Sequence, residues 1–96
     1  MSQNLKIKNI NNQQELKGKN WRYVGQVVNG LREGKGILYG DNGDRYEGDY
    51  RNDKLEGKGI SYYSNGDRMM GDYYNDKQIG KHVKLTRNGE VKINNY

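Results

Sequence analysis

The chain has 96 residues, the length of one small domain, and carries 17 basic and 12 acidic side chains for a net charge of +5. It contains no Cys, so disulfides and thiolate metal sites are excluded, and with 14 Gly it is a poor helix former. No apolar run approaches the roughly 20 residues of a membrane span, and Lys and Asn interrupt any signal-peptide core near Met1. The composition therefore predicts a soluble intracellular protein.

The positive charge lies mainly outside the middle of the chain. Residues 1–22 carry five basic and one acidic group, giving +4, whereas residues 23–68 carry seven and eight, giving −1. Residues 69–96 carry five and three, giving +2. A nucleic-acid-binding protein usually concentrates basic side chains on its folded face. Because the best-patterned segment is slightly acidic, we expect no nucleic-acid partner.

Residues 1–22 are predicted to be a basic N-terminal arm outside any repeat. Leu5, Ile7 and Ile10 form only a weak apolar set, so we expect this arm to be partly disordered or docked to a partner. We interpret Trp21 as covering the open end of the first hairpin predicted below, or else as an exposed residue of a linker.

A repeat of 23 residues organises residues 23–91. Its three copies are Tyr23–Arg45, Tyr46–Arg68 and Met69–Val91, and they align without gaps. The first two copies agree at 13 of 23 positions, and the second and third at 10 of 23. Residues 92–96 begin a fourth copy, and we interpret them as a partial strand that caps the array.

Each copy contains two turn signals. Asn and Gly tolerate the positive φ that tight hairpin turns demand. The turns are spaced alternately by 13 and 10 residues, which is typical of the short strands of an all-β protein. The asparagines that mark them are Asn29, Asn42, Asn52, Asn65, Asn75 and Asn88.

The segments between turns alternate with the period of two that strands have. Tyr46 and Tyr50 point to one face, and Glu47 and Arg51 to the other. A single hairpin is only marginally stable, so the three hairpins are expected to stack and join their apolar residues into one core. The pattern predicts an all-β fold of stacked hairpins.

The copies resemble the MORN repeat, whose pattern runs Tyr-x-Gly-x-aromatic, a turn and Gly-x-Gly. The third copy departs from it at Met69 and His82, as a terminal repeat would. The resemblance implies an elongated, twisted antiparallel sheet with one concave, aromatic-rich face. The matching residues of the second copy are Tyr46, Gly48, Tyr50, Gly57, Gly59 and Gly66. Those of the other copies are Tyr23, Gly25, Gly30, Gly34, Gly36, Gly43, Gly71, Tyr73, Gly80 and Gly89.

Nothing in the chain suggests catalysis. His82 is the only histidine, replaces a repeated glycine and accompanies no serine or cysteine motif, so we interpret it as an incidental substitution. Asp44 and Asp67 recur 23 residues apart beside the turns, so they are expected to serve the turns or ion pairs between hairpins. We therefore predict a protein that is not an enzyme and has no catalytic residue, metal site, cofactor or small-molecule substrate.

The aromatic residues are the best candidates for a binding site. An exposed aromatic face with polar flanks typically contacts a partner, although the same rings could be used in the core alone. The pattern leaves open whether they form a core only or a core with a partner groove. The candidate partner-binding residues are Tyr23, Tyr39, Tyr46, Tyr50, Tyr62 and Tyr73.

The preferred hypothesis is a structural module that binds a peptide or helix of a larger protein complex. The resemblance to repeats of radial spokes and other scaffolds implies a cilium, axoneme or cytoskeletal location. The alternative is attachment to anionic lipid at the cytoplasmic face of a membrane, through Lys6, Lys8, Lys17 and Lys19. A third hypothesis is a regulatory module that acts beside an enzyme on a separate chain.

Overall fold

The described residues form one open antiparallel sheet whose eight strands follow each other in chain order. The computed structural model describes residues 13–96, so Lys6 and Lys8 lie outside the described residues. The strands are β1 (Gln14–Lys17), β2 (Trp21–Val28), β3 (Leu31–Gly40), β4 (Arg45–Arg51), β5 (Lys54–Tyr62), β6 (Arg68–Tyr74), β7 (Lys77–Leu85) and β8 (Val91–Asn95). The sheet extends 47 Å along its long axis and 24 and 23 Å along the others. The predicted elongated all-β array of stacked hairpins is confirmed.

The hairpin inside each copy closes with a two-residue turn. Asn52 and Asp53 both have positive φ, 48° and 71°, as do Asn29 and Gly30, at 53° and 79°. Positive φ at both central residues is the backbone of a type I′ turn, whose twist matches that of the flanking strands. Asn and Asp adopt this conformation more readily than other residues with a side chain, which explains the turn signals of the sequence.

Aspartate side chains join the turn between β3 and β4 to the equivalent turn between β5 and β6, and that turn to the next. Asp44 Oδ1 accepts a hydrogen bond from the backbone N–H of Ser64 at 2.7 Å. In the next copy, Asp67 Oδ1 accepts from the N–H of Arg87 at 2.9 Å. The repeated carboxylates therefore serve the turns, which is one of the roles that their 23-residue spacing suggests.

A second set of hydrogen bonds between hairpins lies at the other ends of the strands, beside the two-residue turns. Asp53 Oδ1 accepts from Arg32 Nε at 2.6 Å and from Arg32 N at 3.2 Å, while the guanidinium lies over the Tyr50 ring, 5.0 Å from its centroid. Burial by itself would raise the pKa of Asp53, but the hydrogen bonds from Arg32 lower it below its usual range. In the next copy, Asp76 Oδ1 accepts only the N–H of Leu55, at 2.8 Å.

One face of the sheet carries the core and is called the tyrosine face. Five successive edge-to-face contacts run along it from Tyr23 to Tyr96, with ring centroids 5.1–6.2 Å apart. Each such contact contributes about 0.5–1.5 kcal/mol beyond the burial of apolar area. The buried residues that define this face are Leu16, Tyr23, Tyr46, Tyr50, Met69, Tyr73 and His82.

Paired glycines give the tyrosine rings the room they need. A side chain at Gly36 would occupy the space of the Tyr23 ring, and one at Gly59 the space of the Tyr46 ring. These two glycines are therefore required by the close approach of an aromatic ring, not by an unusual backbone conformation.

The sheet begins earlier than the sequence indicated. β1 pairs with β2 and places Leu16, which is 4% exposed, opposite Tyr23. The predicted boundary after residue 22 falls inside β2, so the described part of the predicted arm is largely strand. Leu16 covers the edge of the core that Tyr23 would otherwise expose, which is the physical reason for the extra strand. The indole of Trp21 packs over Gly18 and stays partly exposed.

Candidate functional site

The six tyrosines named as partner-binding candidates lie on two opposite faces of the sheet. Four of them belong to the tyrosine face and are at most 9% exposed: Tyr23, Tyr46, Tyr50 and Tyr73. Tyr39 and Tyr62 point the other way and are partly exposed. The four buried rings therefore form the core, and only the last two lie on an accessible surface. A partner-binding role stays a prediction for all six.

The buried tyrosines are held in their neutral form. Tyr23 Oη donates to the backbone carbonyl of Gln26 at 2.9 Å, and burial raises the pKa of Tyr23 to about 12. Burial also raises the pKa of Tyr50 to about 12 and shifts that of Tyr46 in the same direction. Hydroxyls in such surroundings stay protonated near neutral pH, so they supply neither a base nor a nucleophile.

His82 is a structural residue of the core. It is 0% exposed, and its Nε2 donates to the carbonyl of Asp72 at 2.9 Å. Asp72 corresponds in the repeat to Gln26, whose carbonyl accepts from Tyr23 Oη. The imidazole thus makes the bond that a tyrosine hydroxyl makes in the first copy. Its interpretation as an incidental substitution is wrong, because the ring fills a space that Met69, in the tyrosine column, leaves open.

The described residues offer neither a metal centre nor a membrane-spanning helix. Between residues 13 and 96, no three His, Asp or Glu side chains converge to hold a metal ion. No helix within this range is long and apolar enough to cross a membrane.

The face opposite the core exposes an apolar row and is called the aliphatic face. Met70 on this row is 39% exposed, and Ile93 is 56% exposed. The row crosses seven strands as directly paired neighbours, and one carboxylate interrupts its apolar side chains: Val24, Ile37, Glu47, Ile60, Met70, Val83 and Ile93.

A row of alternating arginine and tyrosine borders the apolar row on one side. Cross-strand pairing gives the order Arg22, Tyr39, Arg45, Tyr62 and Arg68. The guanidinium of Arg22 lies 4.4 Å from the centroid of the Tyr39 ring, and that of Arg45 lies 4.0 Å from the Tyr62 ring. Stacking of this kind fixes the long arginine side chains and leaves a planar, polar edge beside the aliphatic residues.

Lysine and aspartate border the apolar row on the other side. Lys35 Nζ lies 3.0 Å from Asp49 Oδ1, and Lys58 Nζ lies 3.6 Å from Asp72 Oδ1. A shallow depression of about 440 Å³ lies between this border and the apolar row, with Ile60 in its lining. The aliphatic face thus combines an apolar strip with two polar borders, the anatomy of a protein-binding surface.

The 23-residue spacing and the paired glycines of these hairpins agree with one known repeat family. The family model of the MORN repeat matches residues 23–45 and 46–68, which are the first two copies. No curated protein matches the chain. MORN repeats are non-enzymatic and mediate interactions with proteins or membrane lipids. The third copy continues the same sheet, with Met69 in place of the repeated Tyr and His82 in place of the repeated Gly. The chain is a MORN-repeat protein.

Proposed function

We propose that the chain is a non-catalytic module that holds a protein partner on its aliphatic face as part of a larger assembly. The observation that carries this proposal is the partly exposed apolar row of that face, bordered by arginine–tyrosine and lysine–aspartate rows. Soluble proteins rarely leave a contiguous apolar surface uncovered unless it binds something. The core tyrosines support this surface from behind.

The flat shape of the face indicates the kind of partner. Side chains two residues apart on a strand are about 7 Å apart, and neighbouring strands are about 4.8 Å apart. A peptide or amphipathic helix laid along the apolar row can place side chains at these intervals. Tyr39 and Tyr62 are amphipathic rings at the border of the row, where aromatic residues commonly contribute most to binding.

The proposed setting is a ciliary, axonemal or otherwise cytoskeletal complex. The family resemblance to repeats of radial spokes and scaffolds supports it, and the partner would then be a structural protein. A regulatory role beside an enzyme on a separate chain would use the same surface.

Site-specific photocrosslinking tests the proposal. A photoreactive amino acid is introduced at Ile37 or Ile60 on the aliphatic face and, as a matched control, at Asn65 or Asn88 at exposed turns. The labelled proteins are incubated with extract of the source organism, and the adducts are identified by mass spectrometry. We expect one adduct, formed from the face positions only, that contains an axonemal or cytoskeletal protein. Adducts from the turn positions alone, or none from the face, would refute the proposed surface.

A second candidate function is attachment to an anionic membrane surface. Lys17 and Lys19 are exposed beside the partly exposed Trp21, and lysine with tryptophan is typical of side chains at a lipid headgroup layer. The test is flotation with phosphatidylserine vesicles at low and high salt. The variant changes Lys6, Lys8, Lys17 and Lys19 to Gln, because deletion of residues 1–22 would also remove β1. Flotation that neither salt nor the variant weakens would exclude this function.

A further inference from the structure

The arginines of the aliphatic face differ in one respect. Arg22 Nη1 lies 3.2 Å from Glu15 Oε2, and Arg45 Nε lies 2.8 Å from Glu47 Oε2. Arg68 ends the second copy as Arg45 ends the first, but no ion pair joins it to a carboxylate anywhere in the described range 13–96.

The sequence explains this difference. Glu47 lies two residues after Arg45 on the same strand and face, which brings the two side chains together. The equivalent residue after Arg68 is Met70, which offers an apolar surface instead of a carboxylate. Arg68 is exposed, and its guanidinium carbon lies 5.9 Å from the centroid of the Tyr62 ring.

The residues around Arg68 form a compact two-row surface, which we call the Arg68 patch. Arg68 is paired across the strands with Tyr62 and Leu85. Met70, about 7 Å along the strand, is flanked in the same way by Ile60 and Val83. One unpaired cation thus lies directly beside a cluster of aliphatic side chains.

We infer that the Arg68 patch binds a partner segment in which a carboxylate lies next to an apolar side chain. This inference rests on the proposed function and specifies the chemistry of the partner. The carboxylate accepts hydrogen bonds from the Arg68 guanidinium, whose planar donors suit a bidentate contact. The apolar side chain covers Met70, Ile60 and Val83. Arg68 is charge-complementary to such a segment, and an acidic and an apolar residue four positions apart on a helix match the patch spacing.

A lipid headgroup fits the Arg68 patch less well than an acidic peptide. An anionic membrane is recognised by several cations acting together. On this face Arg22, Arg45, Lys35 and Lys58 are already paired with carboxylates of the chain itself. Lys81 is exposed and forms no ion pair within residues 13–96, but it lies across the apolar row from Arg68, two residues before Val83. Arg68 therefore presents one directional contact rather than a basic cluster.

Two single substitutions exchange the side chains at the second position of the second and third copies, which are Glu47 and Met70. Met70→Glu gives Arg68 the internal carboxylate that Arg45 has, so it is expected to close the site without disturbing the sheet. Glu47→Met removes the carboxylate from Arg45 and is expected to open a second site. Arg68→Gln removes the cation and keeps most of the side-chain length.

The probe is a random 12-residue peptide library displayed on phage. Peptides are selected on the full-length protein after depletion on the Met70→Glu variant, and the recovered peptides are synthesised for titration. We expect Asp or Glu beside apolar residues in the recovered sequences. Arg68→Gln and Met70→Glu should each weaken binding about tenfold or more, the loss expected for a charge-assisted contact. Glu47→Met should raise the stoichiometry from one peptide to two.

Several results would overturn the inference. These are failure to recover any peptide, recovery of peptides without carboxylates, and binding that is insensitive to Arg68→Gln. Binding of phosphatidylserine vesicles, or self-association in sedimentation, that is lost in Arg68→Gln would assign the patch to lipid or to a second copy. If crosslinks from Ile37 persist while the Arg68 variants bind normally, the proposed function stands and only this inference fails.

Discussion

His82 and Met69 show at the scale of single residues how one aromatic ring can replace another. In the first two copies a tyrosine of one strand lies over a glycine of the next. In the third copy the ring comes from the opposite strand, as His82, and lies over Gly71. Its hydrogen bond to the carbonyl of Asp72 matches the bond from Tyr23 to the carbonyl of Gln26 in the first copy, and it contacts Tyr73 edge to face. The two exchanges therefore compensate each other.

This compensation predicts strong coupling between Met69 and His82. His82→Gly alone should lower the free energy of unfolding by about 3 kcal/mol, because it leaves a cavity in the ring row. Met69→Tyr alone should lower it by about 1–3 kcal/mol, because two rings would compete for one space. The double variant should recover most of the loss, since it recreates the Tyr–Gly arrangement of the second copy. Urea unfolding of the four proteins measures the coupling, and strictly additive losses would contradict it.

Each hairpin, at the scale of elements, is attached to the next by the side chains of its turns. The carboxylates of Asp53 and Asp76 are at equivalent positions, yet Asp53 bonds both the backbone and the guanidinium of Arg32, and Asp76 bonds only the backbone N–H of Leu55. The first and second hairpins are therefore joined by more hydrogen bonds at these turns than the second and third hairpins are.

Glycine substitution compares these two links without adding backbone strain. Gly30 occupies the same turn position in the first copy, so the backbone accepts glycine there. Asp53→Gly should lower the free energy of unfolding by about 1–2 kcal/mol more than Asp76→Gly, because it also leaves Arg32 without its carboxylate. Chemical denaturation of both variants gives the difference. Equal losses would show that the Arg32–Asp53 ion pair contributes nothing to stability.

The hairpins could be predicted from the sequence, because their turn residues repeat at fixed spacing. The face of each tyrosine could also have been found. Counting back along both strands from the two-residue turn at Asn52 and Asp53 places Tyr46 on the same face as Gly59. Because side chains alternate along a strand, Tyr62 then lies on the other face. β1 could not be found in this way, because it has no equivalent in the repeat and depends on the contact of Leu16 with Tyr23. The free cation of Arg68 depends on side-chain geometry and also required the structure.

At the scale of the whole molecule, the row of buried tyrosines makes the free energy of unfolding fall as the pH becomes strongly alkaline. The pKa of Tyr23 and of Tyr50 is raised from 10.0 to about 12 by burial, and those of Tyr46 and Tyr73 are raised for the same reason. A raised pKa means that the folded state prefers the neutral hydroxyl. The contribution is therefore fully present below pH 10 and is lost as the pH rises towards 12.

We accordingly expect cooperative alkaline unfolding between about pH 10 and pH 12, the interval between the ordinary and the shifted tyrosine pKa. Circular dichroism should report loss of the sheet, and tyrosinate absorbance should rise in the same step. Tyr46→Phe removes one buried ionisable hydroxyl and should move the midpoint to higher pH. If every tyrosine ionised with an ordinary pKa while the sheet stayed intact, the core would be more open to solvent than the structure indicates.

The constant period of the turns also has a consequence for how such a chain can grow. Every copy enters and leaves the sheet with its residues on the same faces, as the pairing of Arg45 with Tyr62 and of Arg22 with Tyr39 shows. Tandem duplication of a gene segment that encodes one copy would therefore lengthen the protein and keep equivalent residues on the same face. Duplication of the second copy would add two rings, those of Tyr46 and Tyr50, to the core and one arginine–tyrosine pair to the border. Binding surface and stability would thus increase together in the same evolutionary step.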